Sequence, residues 1–372
     1  MLNIPTHTLN LQGSNYEIGF KLGTIAAQIP ALKESHTRPL EGFGQKQVQE
    51  AMNLLDRWCL GVTEEIQGFA DALEVDSRQI AYYAMTYLVP RCSQIAVLPS
   101  ITANNKPLLA RNYEFNHQIE DFVLVRTSVK GKYTHMGTST IGFGRDDGFN
   151  EHGLAVTMSA CGFPVGALPF MRAPKIKGLH FWAVIRALLE NCKDVEECLK
   201  YMKGMPIACN VNLMLVDKKG NAALVEIIDG YQATKWIHSD TQDQSLWTTN
   251  HPVFPELFPH EPIAAVHSLV RGKWIESQLE GLSGITSEHL KNMLLSKYPQ
   301  GLCAHYFEDF FGTTKSMVIS PADGLLELCW GGRAENGWRT YDIKHPLPDT
   351  TNQIQIVMEK APKEMFQVHN LL

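Results

Sequence analysis

A chain of 372 residues with 44% apolar and 19% charged residues has the make-up of a globular protein, long enough for one large domain or two modest ones. Its net charge of −6 and the lack of a basic stripe with interleaved aromatics exclude the nucleic-acid-binding class. The longest apolar stretches, such as 207–216 with Asn210 and Asn212 inside it, fall short of the roughly 20 residues that span a bilayer, and the opening MLNIPTHTLNLQG has neither basic start nor apolar core, so no signal peptide, no membrane partner and a cytoplasmic location are expected.

In chain order, residues 15–87 carry a helical texture. NYEIGFKLGTIAAQI places Ile18, Leu22, Ile25 and Ile29 three or four apart, one face of a helix. VQEAMNLLDRWCL and VTEEIQGFADAL continue the period, and DSRQIAYYAMTYL opens on an Asp-Ser capping pair. From Cys92 the texture changes. CSQIAVL, KPLLARNY, DFVLVRTSV, KYTHMGTS, GLAVTMSA, VNLMLVDKKGNAALVEII and YQATKWIHS are short β-branched and aliphatic runs, broken by turns such as Asn104-Asn105 and Lys219-Gly220-Asn221. Helical spacing returns at 179–189, 195–203, 268–279 and 287–295, and KSMVISP and LLELCWGG close as two strands joined through Ala322-Asp323-Gly324. The expected fold class is α+β: an all-helical leader over residues 1–91, then a body over residues 92–372 of many antiparallel strands with two groups of helices.

The boundary between the two textures falls at Pro90-Arg91-Cys92. Proline restrains Val89 to extended geometry, so the preceding helix stops and the junction reads as an exposed connection. Of the eight cysteines none forms a CxxC pair, which predicts free thiols, most of them small buried hydrophobes. Cys92 differs in its surroundings. If the Arg91-Cys92 bond were cut, one residue would carry a thiol and a free α-amine that titrates near 7.7–8.0, and the amine would serve the thiol as general base. From the residues alone two readings stay open for Cys92, a core thiol at a strand start or a nucleophile.

The order of motifs bears on that choice. CSQIAV, ARNYEF, DGFNEHGLAVTMSA, CNVNLMLVDKKGNAALVEI, WTTNHPVF and SLVRGKWIES follow one another, with GSNYEIGFKLG in the leader and CWGGRAENGW near the end. Together they resemble the choloylglycine-hydrolase and acyl-coenzyme A:isopenicillin N acyltransferase branch of the N-terminal-nucleophile hydrolases, and the leader motif is closer to the acyltransferase-like members. The resemblance implies a four-layer αββα sandwich, made as a precursor that cuts itself between Arg91 and Cys92, with Cys92 as nucleophile and the leader either a removed pro-segment or a retained small subunit. It also implies that Arg111 and Glu114 of ARNYEF lie near the nucleophile, that Asn250 of TTNHPVF serves the oxyanion hole, and that Ser268 and Arg271 start a helix beside the site. Two positions depart from the family pattern: Arg91, where glycine is common, and Glu114, where the usual acid is aspartate.

The residues carry their own alternatives. An asparagine amide is a suitable oxyanion donor, but Asn250 before His251-Pro252 also reads as a turn residue. Asn210 and Asn212 alternate along one strand and so face one side, either lining a substrate site or forming a structural network. Arg111 offers a fixed fork of donors for the amine, the cysteine or a substrate carbonyl, or is an exposed strand arginine; Arg271 is equally a solvated helix arginine. Tyr113, Phe115, Phe149, Phe163 and Trp247 suggest an apolar acyl pocket or plain core. DFFGTTKS, around Lys315, lacks phosphate-loop spacing, and IGFGRDDGFN misses the GxGxxG interval. Scattered histidines without HExxH support no metal site, and no cofactor is expected.

The resulting expectation is a cysteine amidase or acyltransferase acting on a small N-acyl amide, without nucleic-acid partners and with a homo-oligomer allowed by family precedent. Two further classes stay open: an uncut, non-catalytic relative that binds a small amide, and a thiol hydrolase pairing Cys92 with His251 or His305, its leader a permanent structural domain.

Overall fold

The computed structural model describes residues 1–37, 44–85 and 88–372, so 38–43 and 86–87 of the helical expectation lie outside the described residues. The first element departs from the all-helical leader. Leu2–Gly13 is a strand, parallel to Val123–Val129 on one side and antiparallel to Thr350–Ile356 on the other. Its polar alternation, THTLNLQ, hides the strand signal, and the pairing partners lie more than a hundred residues away, so the neighbouring strands decide the conformation. The same pair breaks the expected antiparallel rule.

Helix Asn15–Ala27 follows, started by a capping box in which Ser14 accepts from the Glu17 amide and Glu17 returns to the Ser14 amide. It lies against Val62–Leu73 at a distance only glycine permits: a Cβ on Gly19 would overlap the Glu65 carbonyl, and one on Gly68 the Tyr16 carbonyl. This is the physical content of the IGFKLG motif. Helices Pro30–His36, Gln45–Trp58 and Ser77–Ala84 complete the leader, the last with the Asp76 carboxylate accepting from the Arg78 amide.

Two sheets carry the body. The larger runs Tyr231–Ile237, Ala222–Ile228, Val211–Asp217, Leu154–Ala160, Asp147–Asn150, His135–Thr140, Val123–Val129, Leu2–Gly13 and Thr350–Ile356, with Gly144–Arg145 paired on its flank. The smaller runs Ser245–Thr248, Arg91–Val97, Leu108–Phe115, Phe311–Ser320, Leu325–Trp330 and Arg339–Asp342, with His305–Tyr306 beside Phe311. Turns fall where glycine or asparagine permits positive φ, at Asn105, Gly220 and Gly324.

Three apolar layers hold the sheets and helices in register. Between the sheets, Leu109, Met317 and Ile319 meet Leu124, Phe149 and Met214. Outside the larger sheet, Val156, Leu213 and Val225 pack with Ile66 and Phe69 of the leader and Leu188 of helix Phe181–Asn191. Outside the smaller sheet, Ile95 and Val318 meet Ile275 of helix Val266–Leu279 and Leu290 of helix Ser287–Leu295. The architecture is the four-layer αββα sandwich, and the leader contributes both to an outer layer and to a sheet. All eight cysteines are buried free thiols, and among the described residues no helix is long and apolar enough to cross a membrane.

Candidate active site

Cys92 is the second residue of strand Arg91–Val97, in the smaller sheet beside Leu108–Phe115, in a register that sets Cys92 against Tyr113, Gln94 against Arg111 and Arg91 against Glu114. Strand alternation then separates two faces. Cys92, Tyr113 and Arg111 look toward the larger sheet; Ser93 and Glu114 look toward helix Val266–Leu279. Cys92 is wholly buried, and burial pushes its thiol up to about 12 while Arg111 pulls it down.

Each face grips a different part of the residue. On the sulfur side, Arg111 Nη2 donates to Cys92 Sγ at 3.3 Å, while Nη1 donates to Asp147 Oδ2 at 2.6 Å and to the Asp146 carbonyl at 2.8 Å. Arg111 has no exposed surface, which closes the exposed-strand reading. On the backbone side, the Cys92 amide donates to Asn250 Oδ1 at 3.1 Å. Arg271 Nη1 donates to the Cys92 carbonyl at 2.9 Å, to Ser93 Oγ at 2.8 Å and to Glu114 Oε2 at 3.2 Å, and its Nη2 reaches Asn250 Oδ1 at 2.7 Å. Arg271 is 1% exposed, so it is no solvated helix arginine. Glu114 also accepts from Thr313 Oγ1 at 3.2 Å; burial pushes its carboxyl up to about 7 against the pull of Arg271. The longer acid thus lies near the nucleophile but on the face opposite the sulfur.

Asn250 sits in a braced turn. Its amide donates to Ser268 Oγ at 2.7 Å, and Ser268 Oγ also bonds Thr249 Oγ1 and His251 Nδ1. Asn250 Nδ2 donates to the Ala160 carbonyl at 3.0 Å, and its second hydrogen remains for an acceptor. The two asparagines expected on one strand face have separate surroundings. Asn212 Nδ2 donates to Ser159 Oγ, Thr248 Oγ1 and the Thr249 carbonyl, a buried network behind the turn. Asn210 precedes the strand, accepts from the Asp229 amide at 3.0 Å and lines a small cavity, about 30 Å³, with Val89, Ala160, Gly162 and Phe163. Of the aromatics considered for an acyl pocket, Phe163 lines this cavity; Phe149 belongs to the core between the sheets and Trp247 packs on the outer helices. Arg91 spans from Cys92 to the same place, donating to the Gly162 carbonyl with its guanidinium 5.8 Å from the Phe163 ring centre.

Among the described residues the Cys92 sulfur bonds to a guanidinium rather than an imidazole. His251 is turned to Ser268 and Thr249, and His305 lies 3.7 Å from Cys303. Sequence reasoning missed Asp146, Asp147, Glu120 and the role of Lys315, which form a buried ionic group behind Arg111. The signal available was the acid pair of GRDDGF inside a run of strand residues, tested above only as a nucleotide loop.

Comparison with known proteins places this geometry in a family. Residues 101–335, well over half of the chain, match the family described as acyl-coenzyme A:6-aminopenicillanic acid acyl-transferase. A search of curated proteins gives no match. Among solved structures, penicillin V acylase from Agrobacterium tumefaciens is 18% identical with a TM-score of 0.39, covering 74% of this chain and 90% of its own. A conjugated bile acid hydrolase variant from Clostridium perfringens is 13% identical with a TM-score of 0.39, covering 73% and 99%. The Caenorhabditis elegans N-acylethanolamine-hydrolyzing acid amidase ortholog is 14% identical with a TM-score of 0.43, covering 62% and 93%. With Arg111, Glu114, Asn210, Asn212, Asn250, Ser268 and Arg271 all inside the matched span, the chain belongs to the acyl-coenzyme A:6-aminopenicillanic acid acyl-transferase family.

Proposed function

We propose that the chain is a cysteine amidase for small N-acyl amides, activated by its own scission between Arg91 and Cys92. One observation carries this reading: the amide nitrogen and the sulfur of Cys92 are held separately, by Asn250 Oδ1 at 3.1 Å and Arg111 Nη2 at 3.3 Å. Such an arrangement has a use when both atoms react. In scission, Cys92 Sγ attacks the Arg91 carbonyl carbon, the C–N bond to Cys92 breaks, and the nitrogen takes up the thiol proton and leaves as the α-amine. Water then hydrolyses the Arg91 thioester, leaving a carboxylate on Arg91 and a free thiol.

In turnover, the α-amine takes the thiol proton and the thiolate attacks the acyl carbon. Asn250 Nδ2, through its second hydrogen, donates to the oxyanion, and Arg111 and Arg271 hold the nucleophile from its two faces. The leaving amine takes the proton from the α-ammonium, and the acyl group stays on Sγ as a thioester. Water resolves it to the acid, while an amine acceptor in the same place gives acyl transfer; hydrolysis is the default because water is always present. Asn210, on the wall of the small cavity beside Val89, Gly162 and Phe163, is the substrate-binding asparagine of this reading.

Intact mass of the purified protein tests the scheme. Fragments ending at Arg91 and beginning at Cys92 are expected, with turnover of a panel of N-acyl amino acids, acyl-amines and penicillins followed by amine release. Cys92→Ala is expected to abolish both scission and turnover. Normal cleavage in Cys92→Ala refutes the scheme, and an uncut chain that still hydrolyses amides points instead to a base other than the α-amine. An uncut chain that binds amides without turnover is the binding relative.

A further inference from the structure

Behind Arg111 lies a group of charges that the proposed chemistry does not use. Lys315 is fully buried in strand Phe311–Ser320, with Nζ at 2.9 Å from Glu120 Oε1 and 2.8 Å from Asp146 Oδ2. Burying ions is expensive, and apolar groups of like volume are often at least as stabilising in such places. Four ionisable side chains packed behind the arginine that holds a nucleophile therefore call for a chemical reason.

The backbone supplies a first clue. Pairing of Phe311–Ser320 with Leu108–Phe115 runs Thr313 against Glu114 and then Lys315 against Tyr113, with Thr314 as the extra residue of a bulge. Without the bulge, residues 313 and 315 would share a face. With it, Thr313 reaches Glu114 on the helix side while Lys315 is delivered to the sulfur side, in the same cross-strand row as Tyr113 and Cys92. Bulges beside active sites commonly re-aim a side chain in this way.

Geometry on that side supplies the second clue. Arg111 Nη1 faces two carboxylates, Asp147 at 2.6 Å and Asp146 at 3.8 Å. Because the guanidinium is a rigid fork, the position of Nη1 sets whether Nη2 points at sulfur. Lys315 takes Asp146 Oδ2, and Thr138 Oγ1 donates to Asp146 and, at 2.7 Å, to Asp147. Lys315 Nζ also lies 4.1 Å from the Tyr113 ring centre, with the Arg111 guanidinium 4.7 Å from it, so the residue directly opposite Cys92 has two cations against its ring.

We infer that Lys315 is a positioning residue for the Cys92–Arg111 pair: it occupies Asp146 and steadies Tyr113, so that one arm of Arg111 stays on Asp147 and the other on the sulfur. Without it, Asp146 competes for Arg111, and an unneutralised carboxylate raises the cost of a thiolate. The inference rests on Cys92 being the nucleophile. Arg111 and Tyr113 from the neighbouring strand and Asp146, between strands Gly144–Arg145 and Asp147–Asn150, face the Cys92 sulfur, with Glu114 and Arg271 on the opposite face and Arg91 next to it in the chain; the groups facing Lys315 are Glu120, Asp146, Asp147 and Arg111.

The test reads the Cys92 thiol directly, as the pH midpoint of its alkylation by iodoacetamide in the processed protein, together with the rate at which the fragment beginning at Cys92 appears. Lys315→Met is expected to raise the midpoint by about one pH unit and slow scission about 10- to 100-fold. Lys315→Arg is expected to keep the midpoint within about 0.3 unit and scission within about fivefold. Lys315→Met with Asp146→Asn is expected to return the midpoint to within about 0.3 unit of the parent, because the competing carboxylate is gone. A folded Lys315→Met with an unmoved midpoint overturns the inference, as does a double variant that stays shifted. Should Lys315→Met not fold, the other two variants decide: a midpoint moved by about a unit in either one overturns it. Failure of the underlying reading is distinguishable, since it shows in the parent protein as an intact Arg91-Cys92 bond or as turnover that survives complete Cys92 alkylation.

Discussion

Arg271 links the backbone of Cys92, the Ser93 hydroxyl, the Asn250 side chain and Glu114, and none of these partners is near it in sequence. A match of SLVRGKWIES to a family motif locates the arginine. It does not tell that the side chain is a buried hub, because a single helix arginine reads equally as a solvated one. The same limit hid Lys315, whose neighbours in sequence are hydroxyls and whose partners lie across two sheets. Removing Arg271 leaves Glu114 as a buried carboxylate without its cation, and such broken pairs typically lose about 3–5 kcal/mol. Arg271→Met is therefore expected to destabilise the chain by about that amount at pH 8, and by less at pH 5, where Glu114 is protonated and needs no partner. Adding Glu114→Gln should recover most of the loss. Urea unfolding at both pH values, in the Cys92→Ala background so that the chain stays whole, checks the pair; an equal loss at pH 5 and pH 8 would contradict it.

At the scale of elements, strong periodicity carried the reading and weak periodicity failed it. Helices 287–295 and 268–279 and the strands around Cys92, Arg111 and Lys219-Gly220-Asn221 were legible because one face is apolar or a turn residue is obligatory. Leu2–Gly13 was not, since its side chains alternate weakly and its conformation is supplied by partners at 123–129 and 350–356. That strand has a consequence for the leader. Cut from the body, it still lies inside a sheet with a neighbour on each side, and its removal would leave two unpaired edges, a known route to aggregation. We expect the fragment ending at Arg91 to co-elute with the body through size exclusion and to separate only in denaturant. Residues 92–372 expressed alone should be largely insoluble. A soluble, folded 92–372 fragment would show the strand to be dispensable.

The whole molecule stores its ionisable groups in unusual states, and the pH dependence of its stability follows from them. Burial pushes the carboxyls of Glu114 and Glu261 up to about 7 and that of Glu226 up to about 8. Burial also holds His135, His180 and His251 down at about 4. The two sets oppose one another below pH 6.5: the folded carboxyls keep protons that the unfolded chain has lost, whereas the folded histidines refuse protons that the unfolded chain accepts. Between pH 6.5 and 8 the unfolded histidines give up the protons they still hold, and each adds about 0.4 kcal/mol of stability. The raised carboxyls act more strongly and in the opposite direction. Their stabilisation is complete below the unfolded carboxylate range and disappears as pH rises through 7 to 8. Each carboxyl contributes a slope of at most about 1.4 kcal/mol per pH unit, so the three together, less the histidine gain, should lower stability by about 2 kcal/mol between pH 6.5 and pH 8. Thermal melts of Cys92→Ala are expected to show a midpoint about 3 °C lower at pH 8 than at pH 6.5. Glu226→Gln should flatten that decline, because Glu226 titrates highest of the three. A midpoint that is level or rises across this window would mean that these carboxyls are ionised in the fold, and the electrostatic account of its interior would have to be replaced.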